Sequence, residues 1–165
     1  MSAIRRIITY PLRRWRTLGF GVHSPFAFTM MTKVIGERSS FSCYSGLPEN
    51  IHRDKRRRLR LLIRLICRFR PQKVAYTGTD RDVIKAILLA DSRIELTDGA
   101  ADMTVADTPD ALRPQSASPL TVVLCNGRKL GRKPPKGTMT FTDGRTTIVF
   151  SRHDLPSQRF KFSLR

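Results

Sequence analysis

The chain has 165 residues, with 31 Lys or Arg against 13 Asp or Glu and a net charge of +18. That length suits one domain, which buries a core without needing metals or disulfides. Hydrophobic residues make up 40% of the chain and nine are Phe, a content that excludes a wholly disordered polymer. No apolar run is long enough for a membrane-spanning helix.

The charge predicts an anionic partner, because a field of that sign attracts nucleic acid, anionic lipid or an acidic protein, and it makes such binding salt-sensitive. Cys43, Cys67 and Cys125 lie far apart. They show no CxxC or Cys/His spacing, so no metal site is expected. An odd thiol count without a signal peptide fits a reducing compartment, and a cytoplasmic location is expected.

Residues 1–52 read as a basic helical leader. Arg5, Arg6, Arg13, Arg14 and Arg16 all precede the first acid, Glu37. Ile4, Ile7, Ile8, Leu12, Trp15 and Leu18 give a rough helical stripe interrupted by Pro11, read here as a short docking helix. Next comes Gly19–Phe28, GFGVHSPFAF. Pro25 suits the first turn of a helix, with Ser24 or His23 just before it. Phe26, Met30 and Val34 then recur at helical spacing. His23 is the candidate general base, since its ordinary pKa suits proton transfer near neutrality; helix capping is the structural alternative. Residues 37–50 are Ser-rich with Gly46 and Pro48 and predict a loop.

Residues 53–165 read as a single α/β domain. Residues 53–69 predict a helix that Pro71 stops. Leu59, Leu62, Ile63 and Ile66 form its core face, and Arg53, Arg57, Arg60, Arg64 and Arg68 line another. Asp54 is the only acid from 53 to 70, and like charges four apart destabilise a helix. That cost points to an anionic partner for Arg57, Arg60, Arg64 and Arg68, which stand at a spacing that can meet phosphates. A solvated helix face is the alternative.

Strand and helix then alternate. Val74–Thr77 is a predicted strand, ended by Gly78. Asp80 can cap a helix over Arg81–Ala90. Strands follow at Ile94–Thr97, Met103–Ala106 and Leu120–Cys125. Residues 126–137 form a basic loop holding Arg128, Lys129, Arg132, Lys133 and Lys136. Thr138–Thr142 and Thr146–Phe150 flank Asp143-Gly144, a hairpin signal. Arg159–Leu164 is a last edge strand. The order predicts a Rossmann-like mixed sheet, mostly parallel, with a C-terminal antiparallel hairpin and N-terminal helices before it.

Three stretches carry a family resemblance: GFGVHSPFAF at 19–28, Arg64–Gly99 with VAYTGTDRDV and IELTDG, and TTIVFSRHDLPSQRFKFSLR at 146–165. The chain resembles a group of bacterial class I S-adenosylmethionine (SAM)-dependent methyltransferases. The resemblance implies a Rossmann-like sheet with a reversed last strand and SAM across the carboxyl ends of the first strands. It places the cofactor loop at Gly78-Thr79-Asp80, the ribose carboxylate at Asp98 beside Gly99, and Asp107 near the adenine.

The chain departs from that pattern in telling places. Tyr76 stands where an acid is expected, and Gly78 is the loop's only glycine. Asp80, Arg81 and Asp82 bring charge where glycines would let a ligand approach. Asn126-Gly127 and Asp107 compete for a later acidic motif. Against the family, a helix and strand are missing after Gly99 and a helix after Cys125. The expectation is a shortened methyltransferase-like protein, its acceptor unassigned, with activity reduced or lost. The alternative is a non-enzymatic basic module that binds nucleic acid or another polyanion.

Overall fold

The computed structural model describes residues 22–108, 118–124, 138–152 and 154–164. The expected docking helix, the Gly19–Gly21 start of the motif, the 126–137 loop, Cys125 and His153 lie outside these residues.

Helix α1 spans Pro25–Thr29. Pro25 fits its first turn because that position needs no N–H partner, and Ser24 Oγ caps it by accepting from Ala27 N at 3.3 Å. The helix continues as a wider π-type segment over Met30–Ile35. Met30, Met31, Val34 and Ile35 are buried there. Within the expected 37–50 loop a 3-10 turn forms over Ser42–Gly46. The turn packs against the helix that carries Leu89: a Cβ on Gly46 would lie 2.5 Å from the end of the Leu89 side chain, which would have to move to admit it.

Helix α2 runs over Arg53–Phe69 and α3 over Arg81–Ala90. His52 Nδ1 accepts from Asp54 N at 3.2 Å and caps α2, a task its polar setting in the sequence does not reveal. Arg70 ends α2 in the left-handed region at φ 48°, immediately before Pro71. Leu59, Leu62, Ile63 and Ile66 are buried as expected, and so are Leu61 and Leu65. The wider apolar face follows from two neighbours, since α2 packs against both α3 and the Met30–Ile35 segment.

Among the described residues, seven strands form one sheet: β1 Lys73–Thr77, β2 Glu95–Leu96, β3 Met103–Ala106, β4 Leu120–Leu124, β5 Met139–Thr142, β6 Thr146–Phe150 and β7 Arg159–Lys161. Their order is β2-β1-β3-β4-β6-β5-β7. The first four are mutually parallel. Strand β6 is inserted antiparallel between β4 and β5, and β7 joins β5 in parallel. This is the Rossmann-like mixed sheet with its antiparallel hairpin. β2 is shorter than the predicted Ile94–Thr97 because it lies on the edge, with register pairs only to Lys73 and Val74.

The hairpin turn follows from its chemistry. Gly144 takes φ 92°, and Asp143 Oδ1 accepts from Arg145 N at 2.8 Å and Thr146 N at 2.6 Å. β3, β4, β5 and β6 are buried at every position, as expected for strands covered on both faces. Phe150 anchors the core with rings of Phe26, Phe69 and Phe141 at 4.9, 5.3 and 6.0 Å. One core cluster joins α1, the π-type segment, both longer helices and the sheet. Among the described residues no helix is long and apolar enough to cross a membrane, and no group of His, Cys, Asp and Glu could hold a metal ion.

Candidate functional site

Two places concentrate polar chemistry. The first lies where β1 and β3 end side by side, bringing Gly78 and Asp107 together. In α/β sheets this carboxyl edge is where ligands bind. Here the chain's own side chains fill it. Tyr76 Oη donates to Asp107 Oδ2 at 2.8 Å and accepts from Asp80 N at 2.9 Å. A Cβ on Gly78 would fall 2.3 Å from Asp107 Oδ2 and 2.5 Å from Tyr76 Oη. A larger residue at 78 would have to displace the phenol and the carboxylate that lie against it. The arrangement does not fit a cofactor laid on this loop.

Asp80 caps α3 by accepting from Asp82 N at 3.0 Å. Lys55, reaching over from α2, lies 2.8 Å from Asp80 Oδ2 and also pairs with Asp82. Burial works against the Lys55 charge, but its hydrogen bonds to Asp80 and Asp82 outweigh that and raise its pKa. Burial also raises the Tyr76 phenol well above its ordinary range, reinforced by the hydrogen bond to Asp107. Both shifts describe a locked network rather than a poised acid or base. Asp107 Oδ1 is buried without a partner among the described residues.

The remaining candidates at this edge are open to solvent. Thr79, Asp98 and Gly99 are exposed. Gly99 N donates to Thr97 Oγ1 at 3.1 Å, which closes the turn after β2. His23 is exposed beside the α1 cap, and Ser24 rather than His23 provides the capping oxygen.

The second place is a cleft of about 280 Å³ along α2. Arg57, Arg60 and Arg64 line one wall; Ile35–Ser40, Tyr44 and Ser163 complete it. Spacings of three and four put these three arginines on one helix face. Arg68 does not line the cleft and is exposed. The local structure holds two of the arginines firmly. Arg60 lies over the Tyr44 ring at 5.1 Å. Arg64 Nη1 donates to the carbonyl of Glu37, and its Nε is buried without a partner among the described residues. Burial pushes the Arg64 pKa down, although a guanidinium stays charged in proteins. Arg57 is 3.8 Å from Asp54, which pairs more closely with Arg145 at 2.8 Å.

Sequence reasoning found the arginines but missed Lys55, Tyr44 and the Tyr76 bridge. Lys55 sits within an arginine-rich run, and no periodicity marks it. The Tyr76 bridge spans 31 residues to Asp107 and exists only because β1 pairs with β3.

No protein-family model matches the chain, and no curated protein or solved structure matches it. Fold and site define an α/β protein with a Rossmann-like mixed sheet, a filled glycine loop and an arginine-lined cleft.

Proposed function

We propose that this chain is a methyltransferase-like protein without catalytic activity, a basic module that binds nucleic acid. The single observation that carries this reading is the cleft in which Arg57, Arg60 and Arg64 converge. Guanidinium groups present rigid donor forks that match phosphate oxygens. Helix-internal arginine repulsion, a cost in isolation, is relieved when phosphates neutralise it. The scaffold part of the reading draws on the three sequence stretches and on β6, reversed between β4 and β5. The loss of catalysis draws on Tyr76 and Asp107 filling the space over Gly78. A cytoplasmic setting belongs to the same proposal.

A second reading, an active SAM-dependent methyltransferase, takes support from Asp98, exposed after β2 where a ribose carboxylate belongs. It requires Tyr76 to leave Gly78. Calorimetric titration with SAM and its demethylated product separates the two. The proposal expects no heat of binding from either ligand. Micromolar binding that Asp98→Ala weakens would establish the cofactor reading instead. Nucleic-acid affinity is the positive test: it should fall steeply with salt and weaken in R57Q/R60Q/R64Q across all sequences.

A further inference from the structure

We infer that the α2 cleft is an end-group site, built to seat a terminal phosphate monoester rather than to track a phosphodiester backbone. The inference rests on the nucleic-acid reading and narrows it to one chemical group.

Shape argues first. The cleft encloses about 280 Å³, just under the roughly 300–1,000 Å³ of small-molecule pockets. It is concave on two sides, with α2 on one and residues 35–40 on the other. A track for successive phosphates would continue along the helix to Arg68, but the lining stops at Arg64.

Charge argues second. Arg38, Arg57, Arg60 and Arg64 line the cleft, with Glu37 as the one acid in its lining. Glu37 is turned into its own loop. Its Oε1 accepts from Arg38 N and Ser39 N, each at 2.8 Å. Asp54 is outside the lining; it pairs with Arg145 at 2.8 Å and lies 3.8 Å from Arg57. Four cations thus face one occupied carboxylate. A diester brings a single charge to such a place. A monoester brings about −1.5 to −2 and three strong acceptor oxygens.

Donor supply argues third. Arg64 is anchored through Nη1 at the Glu37 carbonyl, while its Nε is buried and unpartnered among the described residues. The bond to the Glu37 carbonyl fixes the Arg64 guanidinium in the cleft wall before any anion arrives. The Tyr44 ring holds the Arg60 guanidinium in place, so little side-chain freedom is lost on binding.

The test uses the full chain and a fluorescent single-stranded oligonucleotide, with phosphates at both ends or with free hydroxyls. The phosphorylated strand should bind about tenfold tighter or better, the scale of a new charge-assisted contact. R57Q/R60Q should abolish that preference, whereas R53Q/R68Q, with equal charge removed outside the cleft, should keep it. R57Q/R60Q spares Arg64, which holds the Glu37 carbonyl, and circular dichroism checks that the variant is folded. Equal affinity for both strands, with steep salt dependence, would overturn the end-group site and leave nucleic-acid binding standing. Preference surviving in R57Q/R60Q overturns the site as well. If neither strand binds, the nucleic-acid reading fails, and inorganic pyrophosphate decides the cleft. Pyrophosphate binding that R57Q/R60Q removes supports the anion chemistry with a free phosphate as its source, and no binding overturns it.

Discussion

Tyr76 takes the position where the family resemblance expects an acid, and its hydroxyl joins two segments that a short carboxylate would not reach. It satisfies Asp80 N and Asp107 Oδ2 together. Tyr76→Phe would strand both groups and should cost about 1–3 kcal/mol, the penalty for a partly buried group left unpaired. Urea unfolding should show a lower midpoint at unchanged slope. The same residue sets an alkaline limit. Its folded-state pKa is raised by burial and by Asp107, so its stabilisation is complete below the unfolded phenol value of about 10. As pH rises beyond that value the unfolded chain ionises first, and stability falls. Tyr44, raised by burial, acts in the same direction. Urea midpoints should therefore fall as pH rises above about 10, less steeply in Y76F than in the wild type. Identical slopes would show that Tyr76 does not carry the effect. From the sequence, Gly78 was legible as a special position, but its neighbours Tyr76 and Asp107 were not. Composition reveals that a glycine must admit something, not whether a ligand or a neighbouring side chain enters.

At the scale of elements, sequence patterns served well wherever local chemistry marks the element. The Leu59, Leu62, Ile63 and Ile66 face of α2, the Asp143-Gly144 hairpin and the Ser24-Pro25 helix start were readable because local chemistry and tertiary placement agree. Readings drifted where neighbours decide. β2 is cut short at a sheet edge, and the Ser42–Gly46 turn packs against Leu89. The arginine face of α2 was legible as a stripe but not as a cleft, because its second wall comes from residues 35–40. Phe150 is the hub that several elements share. Phe150→Ala should cost about 3–5 kcal/mol, as for other buried aromatics, read as a lower thermal midpoint. A shift of only a few tenths would mean that the rings of Phe26, Phe69 and Phe141 close the gap. Lys55 links α2 to the cap of α3 with side chains only 24% and 16% exposed at the Lys55–Asp80 pair. Lys55→Met should destabilise by about 1 kcal/mol, and more than Lys85→Met on the exposed side of α3. Equal effects would make the bridge ornamental.

For the whole molecule, the net charge of +18 is the largest fact in the sequence and the one that the fold alone does not explain. A sheet of this kind needs no such excess, and concentrating arginine on one helix works against that helix. The proposed nucleic-acid partner at the α2 cleft would answer that excess, on a scaffold where Tyr76 and Asp107 lie against Gly78. The most direct measurement is single-stranded RNA affinity across a salt series, for wild type and R57Q/R60Q/R64Q. Each phosphate contact contributes about 0.7 to the slope of log affinity on log salt for single strands. A linear fall is expected for the wild type, and in the triple variant a slope shallower by about 0.7 for each phosphate that the three arginines hold together. A triple variant with the same affinity and the same slope as the wild type would contradict it.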